Sequence, residues 1–186
     1  VVVSAGRRVQ AVQDVPISVS TMGQQDLVKR GITRLDDALR YVSGVSLQAD
    51  QVNIRGSSGF AFGLGSRAMV LLDGFPVISG DNGDIKFDVL PVQDVQRIEV
   101  IKGAGSALYG TGALGGVISM FTKAPTEELD VQARAYGGIY TDLRYDQWQF
   151  REGIPFQWGA DARVGQKFGD FSVNLSGGYR TDEGYR

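Results

Sequence analysis

The sequence predicts an α+β domain over residues 1–124, followed by antiparallel β-strands over residues 125–186. Three observations support this prediction. Two short helical segments near the start have clear end signals, β-branched segments alternate with glycine-rich loops, and hydrophobicity alternates with a period of two after Pro125. The 186 residues are enough for one domain with a substantial core and an extension.

Residues 21–44 contain the signals of two short amphipathic helices. A hydroxyl side chain followed three residues later by a polar or acidic one predicts each start, and a glycine predicts each end. These residues are Thr21, Gln24 and Gly31 for the first helix, and Thr33, Asp36 and Gly44 for the second. Leu35, Leu39 and Val42 form one apolar stripe, so we expect the helices to pack on a sheet.

Residues 45–123 predict a series of strands joined by glycine-rich loops. We expect strands at 45–48, 52–55, 69–72, 98–102 and 117–122. The loops between them cover residues 56–66, 73–88 and 103–116. Loops of this length in a small domain usually carry function.

After Pro125 the pattern changes to strict alternation. Strands are predicted at 131–140, 161–168 and 171–180, with one small or apolar face and one polar face. Gly169-Asp170 predicts a tight hairpin, whereas residues 141–159 form a long connection rich in aromatic residues. A short turn alternating with a long loop is typical of outer-membrane barrels, but a half-buried soluble sheet alternates in the same way. The pattern alone leaves both open.

The composition excludes several classes of function. The 19 basic and 21 acidic residues leave a net charge of −2, so the basic surplus that nucleic-acid binding requires is absent. The chain has no His and no Cys, which excludes thiol nucleophiles, disulfides, imidazole or thiolate metal sites and Ser–His catalysis. No apolar run is long enough to predict a transmembrane helix.

Three smaller motifs carry little weight. Residues 110–115 read Gly-Thr-Gly-Ala-Leu-Gly, a dinucleotide fingerprint, but the following residues favour a strand where that motif needs a helix. Gly-Ser-Ser-Gly at 56–59 has no histidine to activate a serine. Asp81, Asp84 and Asp88 carry oxygen ligands suited to calcium but lack the EF-hand spacing, so an acidic surface loop is favoured. We predict no cofactor, no metal and no enzymatic activity.

A set of longer blocks, in a fixed order, is far more specific. They read Asp-Val-Pro-Ile-Ser-Val at 14–19, Ala-Leu-Arg-Tyr-Val-Ser-Gly-Val at 38–45, Val-Asn-Ile-Arg-Gly at 52–56, Val-Leu-Leu-Asp-Gly-Phe-Pro at 70–76, Arg-Ile-Glu-Val-Ile-Lys-Gly at 97–103, Ser-Ala-Leu-Tyr-Gly at 106–110 and Ala-Leu-Gly-Gly-Val-Ile-Ser at 113–119. Together they resemble the plug domain of TonB-dependent outer-membrane receptors over residues 1–124. The strands after Pro125 then fall where that family begins its 22-stranded transmembrane barrel.

The sequence departs from this family at two places. Lys102-Gly103-Ala104 stands where members commonly have Arg-Gly-Pro, and Ile-Ser-Met at 118–120 stands where they usually have Ile-Asn-Ile. The first departure keeps the positive charge but loses the bidentate fork of arginine.

The resemblance implies active uptake of a scarce ligand across the outer membrane of a Gram-negative bacterium. The ligand would be a siderophore, cobalamin, haem, a glycan or a similar molecule, and the partners would be TonB and outer-membrane lipid. The first residues resemble the TonB box, an extended segment suited to adding to a partner's sheet edge. They are Val1, Val2, Val3, Ser4 and Ala5. The alternative for this segment is an ordinary first strand of the plug.

The resemblance also implies roles for individual side chains. Arg55 and Lys102 follow family positions that face barrel carboxylates, with Glu99 as a candidate internal partner, and Gln132, Arg134 and Arg163 would fit the same surface. Loops 56–66 and 73–88 would be the apical ligand-binding loops. Their candidate ligand contacts are Phe60, Phe62, Phe75, Asp81, Asn82, Asp84 and Phe87. Each phenylalanine could instead pack against the barrel wall, and a soluble β-rich binding module remains the competing interpretation of the whole chain.

Overall fold

The computed structural model describes residues 2–3, 10–11, 17–48, 51–57, 68–77, 85, 87, 92–103, 105–140 and 155–182. The chain divides into two compact units, Val1–Lys123 and Ala124–Arg186. Among the described residues, no helix has the length and apolar character needed to cross a membrane.

The first unit is built on a five-stranded mixed sheet in the order β3-β8-β9-β6-β7. These strands are β3 (Val19–Gly23), β6 (Ala68–Leu72), β7 (Phe75–Pro76), β8 (Val95–Lys102) and β9 (Gly116–Thr122). β9 runs parallel to β6 and antiparallel to β8, so it is the central strand. Every neighbouring pair except β6 and β9 is antiparallel.

The two faces of this sheet are unequal. One face carries Ile98, Val100 and Ile118, which join the main core with helices α1 (Gln24–Lys29) and α2 (Leu35–Arg40). The opposite face carries a small cluster that includes Ile101 and Val117. The short helix α3 (Ser106–Tyr109) and a 3-10 turn at Thr111–Ala113 lie in the connection between β8 and β9.

Two short strand pairs complete the described part of the first unit. β4 (Val45–Gln48) and β5 (Gln51–Ile54) form an antiparallel hairpin, and α2 packs beside β4. Near the start of the chain, β1 (Val2–Val3) pairs antiparallel with β2 (Gln10–Ala11).

Both helices begin later than their sequence signals suggest. Strand β3 continues through Gly23, which becomes the N-cap of α1, and the Asp26 carboxylate accepts the Gly23 N–H at 3.3 Å. The prediction that Thr21 caps this helix is therefore wrong, because Thr21 is paired in the sheet with Glu99.

The second helix shows the same kind of shift at its start, while the predicted glycine ends are confirmed. Arg34, and not Thr33, is the N-cap of α2, and its Nε lies 2.7 Å from Asp36 Oδ1. Gly31 and Gly44 both have positive φ, as expected of residues that end helices.

The second unit is a three-stranded antiparallel sheet in the order β10-β11-β12. The strands are β10 (Asp130–Ile139), β11 (Phe156–Phe168) and β12 (Phe171–Asp182). Phe168 pairs with Phe171 across the predicted Gly169-Asp170 hairpin, and Gly169 has a φ of 60°. A positive φ at the first turn position only is the pattern of a type II′ turn.

Candidate functional site

The first unit's sheet has two ends that carry different residues. At the Gly116 end, the start of β9 lies between Ala68 of β6 and Lys102 of β8. At the Thr122 end, the last residue of β9 pairs with Val95. Strand β9 has seven residues, so the two ends are roughly 20 Å apart along it.

The loop at 56–66 is attached at the Gly116 end on both sides. It leaves β5 just after Ile54 and re-enters the sheet at Ala68. A Cβ on Gly116 would lie 2.7 Å from Ile54 Cδ1 and 2.5 Å from the Ile101 carbonyl oxygen. Only glycine fits where β5 packs over the start of β9. The absence of a side chain at Gly116 therefore lets the base of the loop lie close to the sheet.

Phe75 lies at the opposite end. It follows Asp73-Gly74, a hairpin turn with both φ angles positive, and is 75% exposed. Asp73 accepts hydrogen bonds from Thr122, which places this turn at the Thr122 end. The prediction that Phe75 shares one surface with loop 56–66 is therefore wrong. Strand β6 ends at Leu72, and the chain turns back towards the Gly116 end only after the Asp73-Gly74 turn, so Phe75 stays at the Thr122 end.

Phe87 is also not a surface residue. It is only 5% exposed and belongs to the main hydrophobic core with Val92 and Ile85. The expectation of an exposed ligand-contacting ring at this position is wrong, because the aromatic side chain completes the core. The remaining predicted ligand contacts lie outside the described residues, namely Phe60, Phe62, Asp81, Asn82 and Asp84.

The structure brings Arg55 and Lys102 to the same end of the sheet. Arg55 is exposed, has a φ of 54° and donates its backbone N–H to the Gly44 carbonyl at 2.7 Å. Lys102 pairs with Gly116. Both predicted positive charges are thus located at the Gly116 end, where loops 56–66 and 103–116 also begin.

Glu99 lies beside Arg97 of the same strand. Its carboxylate lies 2.8 Å from Arg97 Nε, and its side chain is 1% exposed. It lies three positions before Lys102 on β8, so the two side chains point to opposite faces of the sheet. The prediction of Glu99 as a partner for Lys102 is therefore wrong.

The loop at 103–116 is a third element at the Gly116 end. It leaves β8 after Lys102 and enters β9 at Gly116, and it exposes Leu108 and Leu114. The strand predicted after its dinucleotide-like glycines is confirmed as β9, so those glycines meet no helix start. Among the described residues no group of His, Cys, Asp or Glu could hold a metal ion.

The second unit has a shielded polar face formed by alternate residues of its strands. Arg134 and Asp161 lie directly opposite one another, with Nε 3.0 Å from Oδ2. Arg163, with 0% of its side chain exposed, forms an ion pair with Asp130. The guanidinium of Arg134 also lies 5.1 Å from the centroid of the Tyr136 ring. The arginines that the resemblance placed on this face therefore have carboxylate partners within their own sheet.

The other face of this sheet is apolar and exposed, which reverses the arrangement of a soluble domain. Its largest exposed side chains are Val131, Ile139, Phe156, Trp158, Val164, Phe168, Phe171, Val173, Leu175 and Tyr179. Trp158 and Tyr179 form an aromatic pair with ring centroids 5.5 Å apart. Phe168 and Phe171 flank the short turn at the other end of the hairpin.

The two aromatic levels are spaced as a bilayer requires. Phe168 lies ten positions after Trp158 on β11, which is about 33 Å along the strand. For a strand tilted by about 40°, this separation projects to about 25 Å, the height of the apolar band of outer-membrane barrels. Between these levels the exposed face carries only small or aliphatic side chains, apart from Gln166 next to the short turn.

Comparison with known proteins identifies the family. A family model described as the TonB-dependent Receptor Plug Domain matches residues 11–117, more than half of the chain. The chain belongs to this family. The resemblance predicted from the ordered sequence blocks is confirmed. The predicted location of this chain, the outer membrane of a Gram-negative bacterium, is confirmed as well.

Curated relatives agree with this assignment. The vitamin B12 transporter BtuB of Vibrio cholerae is 30% identical over 186 residues, which cover 100% of this chain and 28% of that protein. The iron-regulated outer membrane virulence protein of the same species is 34% identical over 139 residues, covering 68% of this chain and 20% of that protein. The receptor chain described here thus spans less than a third of the length of these relatives.

Solved structures show the same fold. The siderophore receptor PirA from Pseudomonas aeruginosa superimposes with a TM-score of 0.65 and 25% identity, covering 91% of this chain and 30% of that one. FpvA of P. aeruginosa superimposes with a TM-score of 0.69 over 97% of this chain and 22% of that one, at 20% identity. The α+β domain and the antiparallel strands that follow it are therefore those of a TonB-dependent receptor.

The structure adds residues that the sequence analysis did not single out. The bond between Asp73 and Thr122 joins two segments 49 residues apart, and the Trp158–Tyr179 pair forms across strands. Only a correct strand register could have revealed either contact. A partial signal was present in the Asp-Gly pair at 73–74, which is typical of a hairpin turn.

Proposed function

We propose that the full-length receptor imports a scarce ligand across the outer membrane, with energy supplied through TonB. The observation that carries this proposal is the plug-family match over residues 11–117, joined with alignment of the whole chain to a protein named as a vitamin B12 transporter. The candidate ligands are cobalamin, iron-loaded siderophores, haem and glycans. In this proposal residues 1–124 are the plug, and its rearrangement opens the pore.

Residues 125–186 are proposed to be the first strands of a 22-stranded barrel. The support is the exposed apolar face with two aromatic levels about 25 Å apart, because lipid tolerates such a face and water does not. Three strands have unpaired edges, and open edges do not persist in hydrocarbon. Further strands of the longer protein are therefore expected to close this sheet.

The Gly116 end of the plug is proposed to face the outside. The support is the family resemblance, which implies that loop 56–66 is an apical loop, together with the attachment of both ends of this loop at the Gly116 end. Loop 103–116 begins at the same end of the sheet. In this proposal both loops are available to a ligand from outside.

Three residue-level assignments follow as parts of this proposal. Val1, Val2, Val3, Ser4 and Ala5 would contact TonB as an extended strand, and Val2–Val3 already pairs with a second short strand in the structure. Phe60 and Phe62, with Asp81, Asn82 and Asp84, would contact the ligand. Arg55 and Lys102 would pair with carboxylates of the full barrel, at one end of the plug sheet.

Uptake by whole cells tests the transport function. Cells that produce the full-length receptor are given radiolabelled vitamin B12 and, separately, iron-loaded enterobactin, the ligand types that the names of relatives suggest. We expect accumulation of one of these probes that is lost when TonB is deleted and when residues 1–5 are removed. Accumulation that persists without TonB would contradict the proposal.

Fractionation separates this function from the competing soluble binding module. The full-length receptor is expected to sediment with outer membranes and to require detergent for extraction, because its exposed apolar face needs lipid. Release of the protein by salt or carbonate without detergent would favour the soluble module and would sink the import proposal.

A further inference from the structure

The last residues of the first unit make hydrogen bonds and a ring contact in addition to the strand ladder. Strand β6 stops pairing with β9 at Leu72 and Met120, so no backbone acceptor on β6 continues the ladder to Thr122. The Asp73 side chain replaces it. Its Oδ1 accepts the Thr122 N–H at 2.9 Å and its Oδ2 accepts the Thr122 hydroxyl at 2.7 Å.

The geometry of the turn allows the Asp73 carboxylate to accept both hydrogen bonds from Thr122. Asp73 has a φ of 46° and Gly74 a φ of 89°, the two positive angles of a type I′ turn. Asp73 also donates its own N–H to the Met120 carbonyl at 2.9 Å. Aspartate and asparagine tolerate this left-handed conformation better than most residues. The turn thus points a carboxylate at the strand end and is itself tied to it.

On the other side of β9, strand β8 and the residue before it contact Phe121 and Lys123. The guanidinium of Arg97 lies 3.9 Å from the centroid of the Phe121 ring, and Lys123 donates its N–H to the Asp94 carbonyl at 2.8 Å. A guanidinium over an aromatic face and a further backbone hydrogen bond each stabilise the end of the strand beyond its ladder hydrogen bonds. Residues 121, 122 and 123 therefore each have a contact that lies outside the regular pairing of β9.

We propose that Asp73, Asp94 and Arg97 form, with residues 121–123, an exit clamp that keeps the end of β9 closed while other parts of the first unit open. The opposite behaviour is expected of β3, an edge strand that pairs with β8 alone. Local opening follows the weakest hydrogen-bonded units, so opening begins at β3 and reaches the exit clamp last. The exit clamp positions the point where the chain leaves this unit, and it does not depend on any ligand or on transport.

Hydrogen exchange of the ligand-free, full-length receptor in detergent tests the exit clamp. Thr122→Val keeps the shape of the side chain and removes only the hydroxyl donor, whereas Asp73→Asn keeps a residue suited to the turn and removes the charge. Each variant is expected to speed exchange of the amides at 120–123 by about tenfold, the size of one charge-assisted hydrogen bond. The effects of the two substitutions should not add fully in the double variant, because both weaken the hydrogen bond between the Thr122 hydroxyl and the Asp73 side chain.

Thr21→Val is the matched control, since Thr21 is an exposed threonine on β3 of the same sheet. It should leave exchange at 120–123 unchanged, and Thr122→Ser, which restores a hydroxyl, should recover most of the native protection. If Asp73→Asn fails to fold, Thr122→Val decides alone. Native protection at 120–123 in Thr122→Val, or slower exchange of β3 than of residues 120–123 in the native receptor, would overturn the proposal. Neither result bears on transport, so the two proposals fail independently.

Discussion

Arg134 and Asp161 face each other across β10 and β11 in a bidentate pair, with Nε 3.0 Å from one carboxylate oxygen and Nη2 3.3 Å from the other. Both side chains are largely buried. A fork-shaped guanidinium fixes both the position and the orientation of its partner, so this pair specifies the strand register as well as adding stability.

The first prediction concerns this pair. Arg134→Met or Asp161→Asn alone leaves the remaining, partly buried charge without its bidentate partner. This should lower the free energy of unfolding of the receptor by about 1–3 kcal/mol. Denaturant unfolding of the full-length receptor in detergent, in a double-mutant cycle, should give a coupling energy above about 0.5 kcal/mol. Strictly additive effects of the two substitutions would mean that the pair contributes nothing of its own.

The second prediction tests the lipid-facing surface. Leu175, 71% exposed, lies between the two aromatic levels, and an arginine there should destabilise the receptor by about 2–4 kcal/mol. Thr181→Arg is the matched control, because Thr181 is on the same face of the same strand but pairs with Trp158, at one of the two aromatic levels. There the expected cost is only about 0–1 kcal/mol.

The measurement is reversible unfolding of both variants in phospholipid vesicles. A surface that faces water would accept arginine equally well at both positions. Equal stabilities for Leu175→Arg and Thr181→Arg would therefore contradict a membrane-facing assignment.

The third prediction separates two phenylalanines that the sequence had grouped together. Phe87→Ala should destabilise the first unit by about 3–5 kcal/mol, because it empties a core position. Phe75→Ala should change stability by less than about 0.5 kcal/mol, since the ring is exposed at a turn. Thermal unfolding followed by limited proteolysis of the full-length receptor would show the difference, and similar losses for both would contradict the assigned burial.

The fourth prediction concerns the glycine beneath β5. Gly116→Ala combines a φ of 150° with a clash against the Ile101 carbonyl, so it should cost more than about 3 kcal/mol, the upper range for backbone strain alone. Gly56→Ala is the control: its φ is also positive, but nothing lies within 4 Å of the added methyl, and about 1–2 kcal/mol is expected.

Equilibrium unfolding of the two glycine variants gives the comparison. Ile54→Val should not rescue Gly116→Ala, because the backbone oxygen remains in place after the Ile54 Cδ1 atom is removed. A full rescue would show that side-chain crowding, and not the backbone, requires glycine at this position.

Several strands of the first unit could be predicted from local sequence because each is a short segment with apolar residues next to a glycine-containing loop or turn. Observed strand β4 coincides with the predicted one, and β6 and β9 begin one residue earlier than predicted. Strand β3 was missed, since Val-Ser-Thr-Met-Gly at 19–23 contains a hydroxyl residue that also suits a helix start. Its pairing with β8 overrides that local preference.

The candidate site was harder to predict because its geometry depends on topology. Phe75 and loop 56–66 are close in sequence, yet the parallel pairing of β6 with β9 places them at opposite ends of the sheet. Glu99 and Lys102 are three residues apart on one strand and still point to opposite faces. Sequence proximity therefore suggested the wrong neighbours for individual side chains.

The alternation of β10–β12 also has a consequence for assembly. A strand that enters the sheet one residue out of step turns Arg134 or Arg163 towards the hydrocarbon and brings Trp158 or Leu175 to the polar side. A hairpin with this wrong register would be less stable even before further strands pair with it. In the proposed barrel, the charged pairs would therefore disfavour wrong strand alignments.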